Sequence, residues 1–314
     1  MEKKIPLLAI VGPTASGKTK LAVDLALQYN GEVVSADSMQ IYRTMNIGTA
    51  KPDLLERQGI PHHLIDICEP GDSFSVANYK RAAEEAIEKI YRRGKLPILA
   101  GGTGLYIDAI LNHIDFSEIT SDPNIRKKLE ERAAAEGKEA LLEELKQVDP
   151  ALGAKLHPNN LGRVMRALEV YYTTGIPMSE HQKNSRLIPS PYHSCIIGLN
   201  YSDRSLLYDR INRRVDMMLE QGLLEEAKLL RESSPSPTAY QAIGYKELED
   251  YFNGLRTLTE CTEHIKQESR RYAKRQLTWF RRNKEIHWIF PDLLPNYETV
   301  LLKAGNFLEN SGIV

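Results

Sequence analysis

Gly12-Pro13-Thr14-Ala15-Ser16-Gly17-Lys18-Thr19 has the spacing G-x-x-x-x-G-K-[ST], the pattern of a phosphate-binding P-loop. Its flanks decide how it is read. Before it, Leu7-Leu8-Ala9-Ile10-Val11 is an apolar run of strand length. After it, Lys20 to Asn30 places Leu21, Ala22, Leu25, Ala26 and Tyr29 on one helical face, and Asn30-Gly31 supplies a stop. Strand, glycine loop and helix N-terminus together make an anion site. The glycines let backbone N–H groups turn inward, the helix dipole adds partial positive charge and Lys18 adds a full one. The Thr19 hydroxyl is placed to hold Mg²⁺ on phosphate oxygens. The loop reads phosphate oxygens and no base, so whose diphosphate or triphosphate binds stays open at this point.

The chain of 314 residues suits one large domain or two smaller ones, and its 42% hydrophobic content allows a substantial core. No stretch approaches the roughly 18 apolar residues that a spanning helix needs. Met1-Glu2-Lys3-Lys4 leads straight into the first strand, so neither a signal peptide nor a membrane association is expected. Cys68, Cys195 and Cys261 lie far apart and lack metal-ligand spacing, which argues against disulfides and a zinc site and fits a reducing cytoplasm. No strong interface stripe stands out, and a monomer is expected.

Strand-like runs recur. Glu32-Val33-Val34-Ser35-Ala36 ends at Asp37-Ser38-Met39-Gln40. In doubly wound α/β sheets the working residues sit at the carboxyl ends of strands, so Asp37 is expected on the P-loop edge; a turn or cap aspartate is the plainer alternative. His62 to Ile67 reads as a third strand. Neighbours on a strand point to opposite faces, so His62 and His63 make a poor ligand pair and read as structural. Ser75 opens a helix with Ala82, Ala83, Ala86, Ile87 and Ile90 inward, stopped at Gly94. Leu96 to Ala100 is a fourth strand running into a second glycine loop, Gly101-Gly102-Thr103-Gly104, which should line the same cleft and offer the Thr103 hydroxyl. The expected fold is an α/β, P-loop NTPase-like parallel sheet flanked by helices.

From about Asp115 the pattern turns helical. Helices are expected from Asp122-Pro123, over Glu139 to Gln147 and over Asn159 to Tyr172, and the strand pattern resumes at Cys195 to Leu199. Residues 115–194 therefore read as a helical insertion domain in a core of 1–114 and 195–314. The next helix, capped by Ser202 or Asp203, buries Leu207, Ile211, Val215 and Leu219 and carries Arg210 and Arg214 four apart. That spacing suits a diphosphate clamp and equally a solvated face paired with Asp203, Asp209 and Asp216. After a break at Ser233 to Pro237, the stretch Lys266 to Lys284 holds eight Lys/Arg against one acid, with Tyr272, Trp279 and Phe280 interleaved. Basic residues recruit a polyanion and aromatics stack on unpaired bases, so an RNA contact is expected, although the aromatics can also face a core.

At this level an ATP-dependent P-loop kinase of a nucleotide or small metabolite explains the first 110 residues, but not the basic helix or the insertion. A non-catalytic RNA-binding P-loop protein leaves Asp37 and Thr103 without a task. The motifs Gly12 to Thr19, Asp37-Ser38-Met39-Gln40-Ile41-Tyr42, Ile47-Gly48-Thr49-Ala50-Lys51-Pro52, Gly101 to Tyr106, Arg166-Ala167-Leu168-Glu169-Val170 and Tyr272-Ala273-Lys274-Arg275-Gln276-x-x-Trp279-Phe280 resemble, in order and over nearly the whole chain, the signatures of the bacterial tRNA dimethylallyltransferases, the IPP transferase family. The eukaryotic relatives' C-terminal zinc-finger spacing is missing. The resemblance implies transfer of a dimethylallyl group from dimethylallyl diphosphate to N6 of the adenosine just 3′ of the anticodon in tRNA. Gly12 to Thr19, labelled an ATP-binding motif in nucleotide enzymes, would grip the prenyl donor. Lys18, Mg²⁺ through Thr19, and Arg210 or Arg214 would neutralise the leaving diphosphate, Asp37 would take the amine proton, and Thr103 would steady the reacting groups. Ser38, Met39 and Gln40, the segment Gly162-Arg163-Val164-Met165-Arg166, Gln241 and Lys246 match tRNA-contacting positions, and Arg281 and Arg282 are expected on tRNA phosphates.

Overall fold

The computed structural model describes residues 4–114, 122–185 and 189–314. The first half of the core runs β1 (Ile5–Val11), α1 (Lys18–Gln28), β2 (Gly31–Ser35), the single-turn α2 (Leu54–Arg57), β3 (His62–His63), α3 (Val76–Arg92), β4 (Leu96–Gly101) and α4 (Gly104–Leu111). Then come α5 (Pro123–Glu136), α6 (Lys138–Val148), α7 (Pro150–Gly153), α8 (Leu161–Thr174) and α9 (Met178–Ser185). The chain returns through β5 (Tyr192–Leu199), α10 (Arg204–Glu220), α11 (Leu223–Glu232), α12 (Pro237–Tyr240), α13 (Glu249–Phe252), α14 (Leu258–Phe280), β6 (His287–Ile289) and α15 (Tyr297–Asn310). It divides into two compact units, Met1–Leu111 with Pro191–Val314, and Asn112–Ser190. Asp115, where the insertion is expected to begin, lies outside the described residues.

The first unit is built on a parallel sheet of order β3-β2-β4-β1-β5-β6. Leu7 to Val11 are all fully buried, as a strand covered on both faces requires. Alternation sorts them. Leu7, Ala9 and Val11 pack with Tyr79, Ala83 and Ile87 of α3 and Ile107 and Ile110 of α4. Leu8 and Ile10 pack with Leu21 and Leu25 of α1 and Val300, Ala304 and Leu308 of α15. Each leucine, isoleucine or valine among them contributes about 1.5–3 kcal/mol by leaving water. Ser75 starts α3 with a reciprocal capping box to Asn78, which holds the stripe of α3 against the sheet.

Two sheet edges differ from expectation. The third strand shrinks to His62 and His63, paired with Val33 and Val34, because Leu64 and Asp66 adopt φ of 62° and 57° and end the extended run. His63 Nε2 lies 2.7 Å from the Glu32 carboxylate, a structural contact. A sixth strand, His287–Ile289, extends the sheet beside β5, too short to leave a periodic signal. The second unit is a separate bundle whose core is formed by Leu129, Leu141, Leu142, Leu145, Val164, Met165 and Leu168.

Candidate active site

The loops after β1, β2 and β4 meet at the carboxyl edge of the sheet. Gly17, at φ 95°, caps α1 in the left-handed region, and Ala15 also takes φ 62°, so the loop curls around its own centre. Lys18 Nζ donates to Pro13 O at 2.6 Å. The Ser16 hydroxyl is buried and has no hydrogen-bond partner among the described residues, an aimed polar group of the kind that buried sites rarely leave unexplained. Thr14 to Thr19 line a cavity of about 470 Å³ together with Arg210 and Arg214. Gly12 and Pro13 are buried behind the loop.

The arginine pair faces this cavity. Arg210 Nε donates to Ala15 O at 2.9 Å and Arg214 Nη1 to Thr14 Oγ1 at 3.2 Å. Packing of Leu207, Ile211 and Val215 against the core turns that side of α10 to the loop, which excludes the solvated-face alternative. Burial, with the Arg214 charge beside it and the Asp37 carboxylate opposing, pulls the Lys18 ammonium down to about 7. Burial likewise lowers Arg214. Three basic side chains converge on one loop, and a bound anion would favour the charged form of each.

Asp37 lies just past the end of β2. Its Oδ1 accepts from Met39 N at 2.9 Å and from Gln40 N at 3.4 Å, so the turn expected of a cap aspartate is present as well as the cleft position. Beneath it Tyr79 and Tyr106 stack, with centroids 3.7 Å apart, and Tyr79 donates to Ser35 O at 3.0 Å. Burial raises the Asp37 carboxyl above the usual aspartate range, opposed by those two backbone N–H groups and by Lys18 and Arg214. The product is a carboxylate more basic than a solvated one. The second glycine loop approaches it closely: a methyl group on Gly101 would overlap the carbonyl of Ala36. Thr103 N donates to that carbonyl at 3.1 Å, and Thr103 Oγ1 accepts from Ser38 N at 3.0 Å.

A second cavity of about 230 Å³ opens on the other side of Asp37. The two share Thr14, Asp37, Thr49, Ala50, Arg214 and Tyr272 as a common wall. Ser38, Met39, Gln241 and Lys246 line the smaller one, with Ile211, Val215, Met218 and Ile265 as its apolar side. Its rim loop is clamped by Glu226, whose carboxylate accepts from Asn46 N, Ile47 N and Gly48 N at 2.8 to 3.0 Å and from Tyr245 Oη at 2.7 Å. Gln40 differs from expectation. Its amide donates to Thr49 O and Ala50 O, each at 3.2 Å, and accepts from Ser35, so both of its N–H donors are engaged by the loop.

The basic stretch splits by helix face. On α14, Lys266 pairs with Asp216 at 2.7 Å, Arg270 with Asn212 and Arg271 with Glu268, both at 2.6 Å. The aromatics face inward. Phe280 is buried, and Trp279 donates to Asp108 at 2.9 Å. Neither is displayed for base stacking, which corrects that part of the RNA reading. Arg281 and Arg282 follow the helix and are exposed, with the Arg282 guanidinium 4.1 Å from the Trp279 ring centre. Tyr272 and Gln276, one turn apart, enter the site, although neither stands out as a site residue in the sequence. Tyr272 stands in the wall between the cavities; burial and the Asp37 charge raise its hydroxyl, opposed by the neighbouring Thr103, Gln276 and Arg275 side chains. Their i, i+4 spacing on the side opposite the cations was the available signal.

In the second unit, Arg163 and Gly162 are exposed on α8, and Arg166 pairs with the buried Glu169 at 3.0 Å. Val164 and Met165 are buried in the bundle core, so their side chains cannot meet a partner; helical periodicity turns them away from Arg163.

For a metal, the described residues hold no group of three or more His, Cys, Asp or Glu. What the site offers is the Thr19 hydroxyl on the phosphate side of the larger cavity. Mg²⁺ fits there as an ion carried mainly by phosphate oxygens. No helix among the described residues is long and apolar enough to cross a membrane.

Comparison with known proteins places the chain as a whole. Residues 40–283 match the family model for IPP transferase. A tRNA dimethylallyltransferase of Thermoanaerobacter pseudethanolicus is 52% identical over 297 residues, 94% of each chain, and that of Bacillus subtilis is 47% identical over 310 residues, 98% of each. Among solved structures, the tRNA isopentenylpyrophosphate transferase of Bacillus halodurans superposes with a TM-score of 0.72 at 46% identity, covering 98% of both chains. A eukaryotic dimethylallyltransferase acting on tRNA gives 0.82 at 32% identity, covering 97% of this chain and 80% of its own. With its phosphate loop, its strand-end carboxylate and these relatives along nearly its whole length, the chain belongs to the IPP transferase family.

Proposed function

We propose that the protein transfers a dimethylallyl group from dimethylallyl diphosphate to N6 of the adenosine 3′-adjacent to the anticodon of tRNA and releases diphosphate. The observation that carries this reading is the common wall: a cationic cavity and a partly apolar one meet at Asp37. The diphosphate lies in the phosphate loop against Lys18, Arg210 and Arg214, and the flipped adenine enters past Ser38 and Met39. The N6 lone pair forms the C–N bond as the allylic C–O bond breaks, and that electron pair leaves with the diphosphate. The N6 proton passes to the Asp37 carboxylate. Thr103, held against Ser38 and Tyr272, steadies the reacting groups. When bound at Thr19, Mg²⁺ supplies further positive charge to the phosphate oxygens. Gly162, Arg163, Arg166, Gln241, Lys246, Arg281 and Arg282 are the tRNA-facing set.

The test uses unmodified tRNA and labelled dimethylallyl diphosphate, with and without ATP. Label reaches the tRNA in both reactions. ATP consumption with no label transfer would instead make the protein a kinase. The tRNA set has its own check. Replacing both Arg281 and Arg282 with glutamine weakens tRNA binding for every sequence. It also lowers the slope of log affinity against log salt by about 2, roughly one for each phosphate that an arginine neutralises. A slope equal to the wild type removes these arginines from the interface.

A further inference from the structure

Gln276 has no part in the reaction above, yet both ends of its amide are engaged. It sits on α14 and is 6% exposed. Its Oε1 accepts from Thr14 N at 2.8 Å and its Nε2 donates to Gly102 O at 3.0 Å. One side-chain amide thus ties the phosphate loop to the second glycine loop. The fit is close on the Gly102 side, where a methyl group would overlap Nε2. The Gly102 end continues to the proton acceptor: Gly101 packs on Ala36, Thr103 N bonds Ala36 O, and Ala36 precedes Asp37. At the Thr14 end the same residue's hydroxyl accepts from Arg214.

We propose that Gln276 is a positioning residue, a strut that fixes the separation between the phosphate loop and Asp37 and so keeps the leaving diphosphate in register with the group that takes the proton. This rests on the transfer reaction proposed above. Two consequences are particular to an amide strut. Thr14 N–H is committed to Gln276 and is not a phosphate donor, although it belongs to the loop. And the position needs a donor and an acceptor on one planar group, which glutamine and a protonated glutamic acid possess and a carboxylate does not.

Two variants test it. Gln276→Met keeps the length and removes both hydrogen bonds; kcat for transfer falls between about 10- and 100-fold, the range that a small misplacement of reacting groups produces, while the dissociation constant for tRNA stays within about twofold. Gln276→Glu keeps the size and shape but, beside the cations of the larger cavity, presents an ionised carboxylate that can only accept and so repels Gly102 O; its kcat for transfer falls at least as far as that of Gln276→Met. Wild-type kcat in either variant overturns the proposal. Amide hydrogen exchange reads the strut without turnover: Thr14 N–H exchanges faster in Gln276→Met than in the wild type, and equal rates overturn it. A wild type inactive in transfer would count against the proposed reaction, and the exchange result would still decide the strut.

Discussion

Asp37→Asn lowers kcat for dimethylallyl transfer by at least about 100-fold and up to about 10⁴-fold, the span of general-base assistance. The substitution keeps the size of the side chain and leaves an amide oxygen to accept from Met39 N and Gln40 N, so the turn survives and the loss is chemical. An aromatic amine holds its lone pair in the ring and attacks well only while its proton is being removed. Burial above Tyr79 and Tyr106 raises Asp37's basicity, opposed by the two backbone N–H groups and by Lys18 and Arg214. The affinity for tRNA remains near that of the wild type. The measurement is single-turnover transfer with bound tRNA, which separates chemistry from product release; a rate within threefold of the wild type would return Asp37 to the role of a turn residue.

Lys18→Met removes a charge from the side on which the leaving group gathers its own, and kcat falls about 10²–10³-fold, as on losing one preorganised electrostatic contact. The depressed pKa adds a pH dependence whose sign is fixed. In the free protein Lys18 titrates near 7. A bound diphosphate favours the ammonium and raises that value. Below pH 7 the lysine is charged in both states and the affinity for the donor is insensitive to it. Above pH 7 the free protein has lost the proton and binding must take one up, so the dissociation constant rises, by at most about tenfold per pH unit. Calorimetric titration at pH 8 in two buffers of different ionisation enthalpy shows uptake of about one proton per donor bound, and Lys18→Met abolishes it. No uptake by the wild type at pH 8 would mean that the lysine is already charged in the free protein.

The phosphate loop, Asp37 and Thr103 are legible in the sequence because their positions follow from local rules. A buried parallel strand is a continuous apolar run, and the residue after it emerges on the carboxyl edge. The strands that pair with β1 and β2 inherit this. What escapes is decided by side-chain direction across long separations. Arg210 and Arg214 carry the same spacing whether they face solvent or phosphate, and only the packing of Leu207 and Ile211 selects the loop. Gln276 stands in the most basic run of the chain, and its role depends on two backbone atoms more than 170 residues away in sequence. Val164 and Met165 lie within a family segment, but a segment does not distinguish the exposed face of a helix from its buried one. Strands of two and three residues, His62–His63 and His287–Ile289, are too short for any period to register.

The order of the sheet also governs when the site comes into being on the ribosome. β1 is made well before its neighbours β4 and β5, and Thr14 bonds a residue 262 positions later. At a synthesis rate of about 5–20 residues per second, the phosphate loop stays unbraced for roughly 13–50 s after it is made. The bundle of α5 to α9 closes on contacts local in sequence and has no such wait. Anion capture is thus a late event in the life of the nascent chain, after α14 has emerged, and a chain that stops short of it is poorly equipped to sequester the prenyl donor.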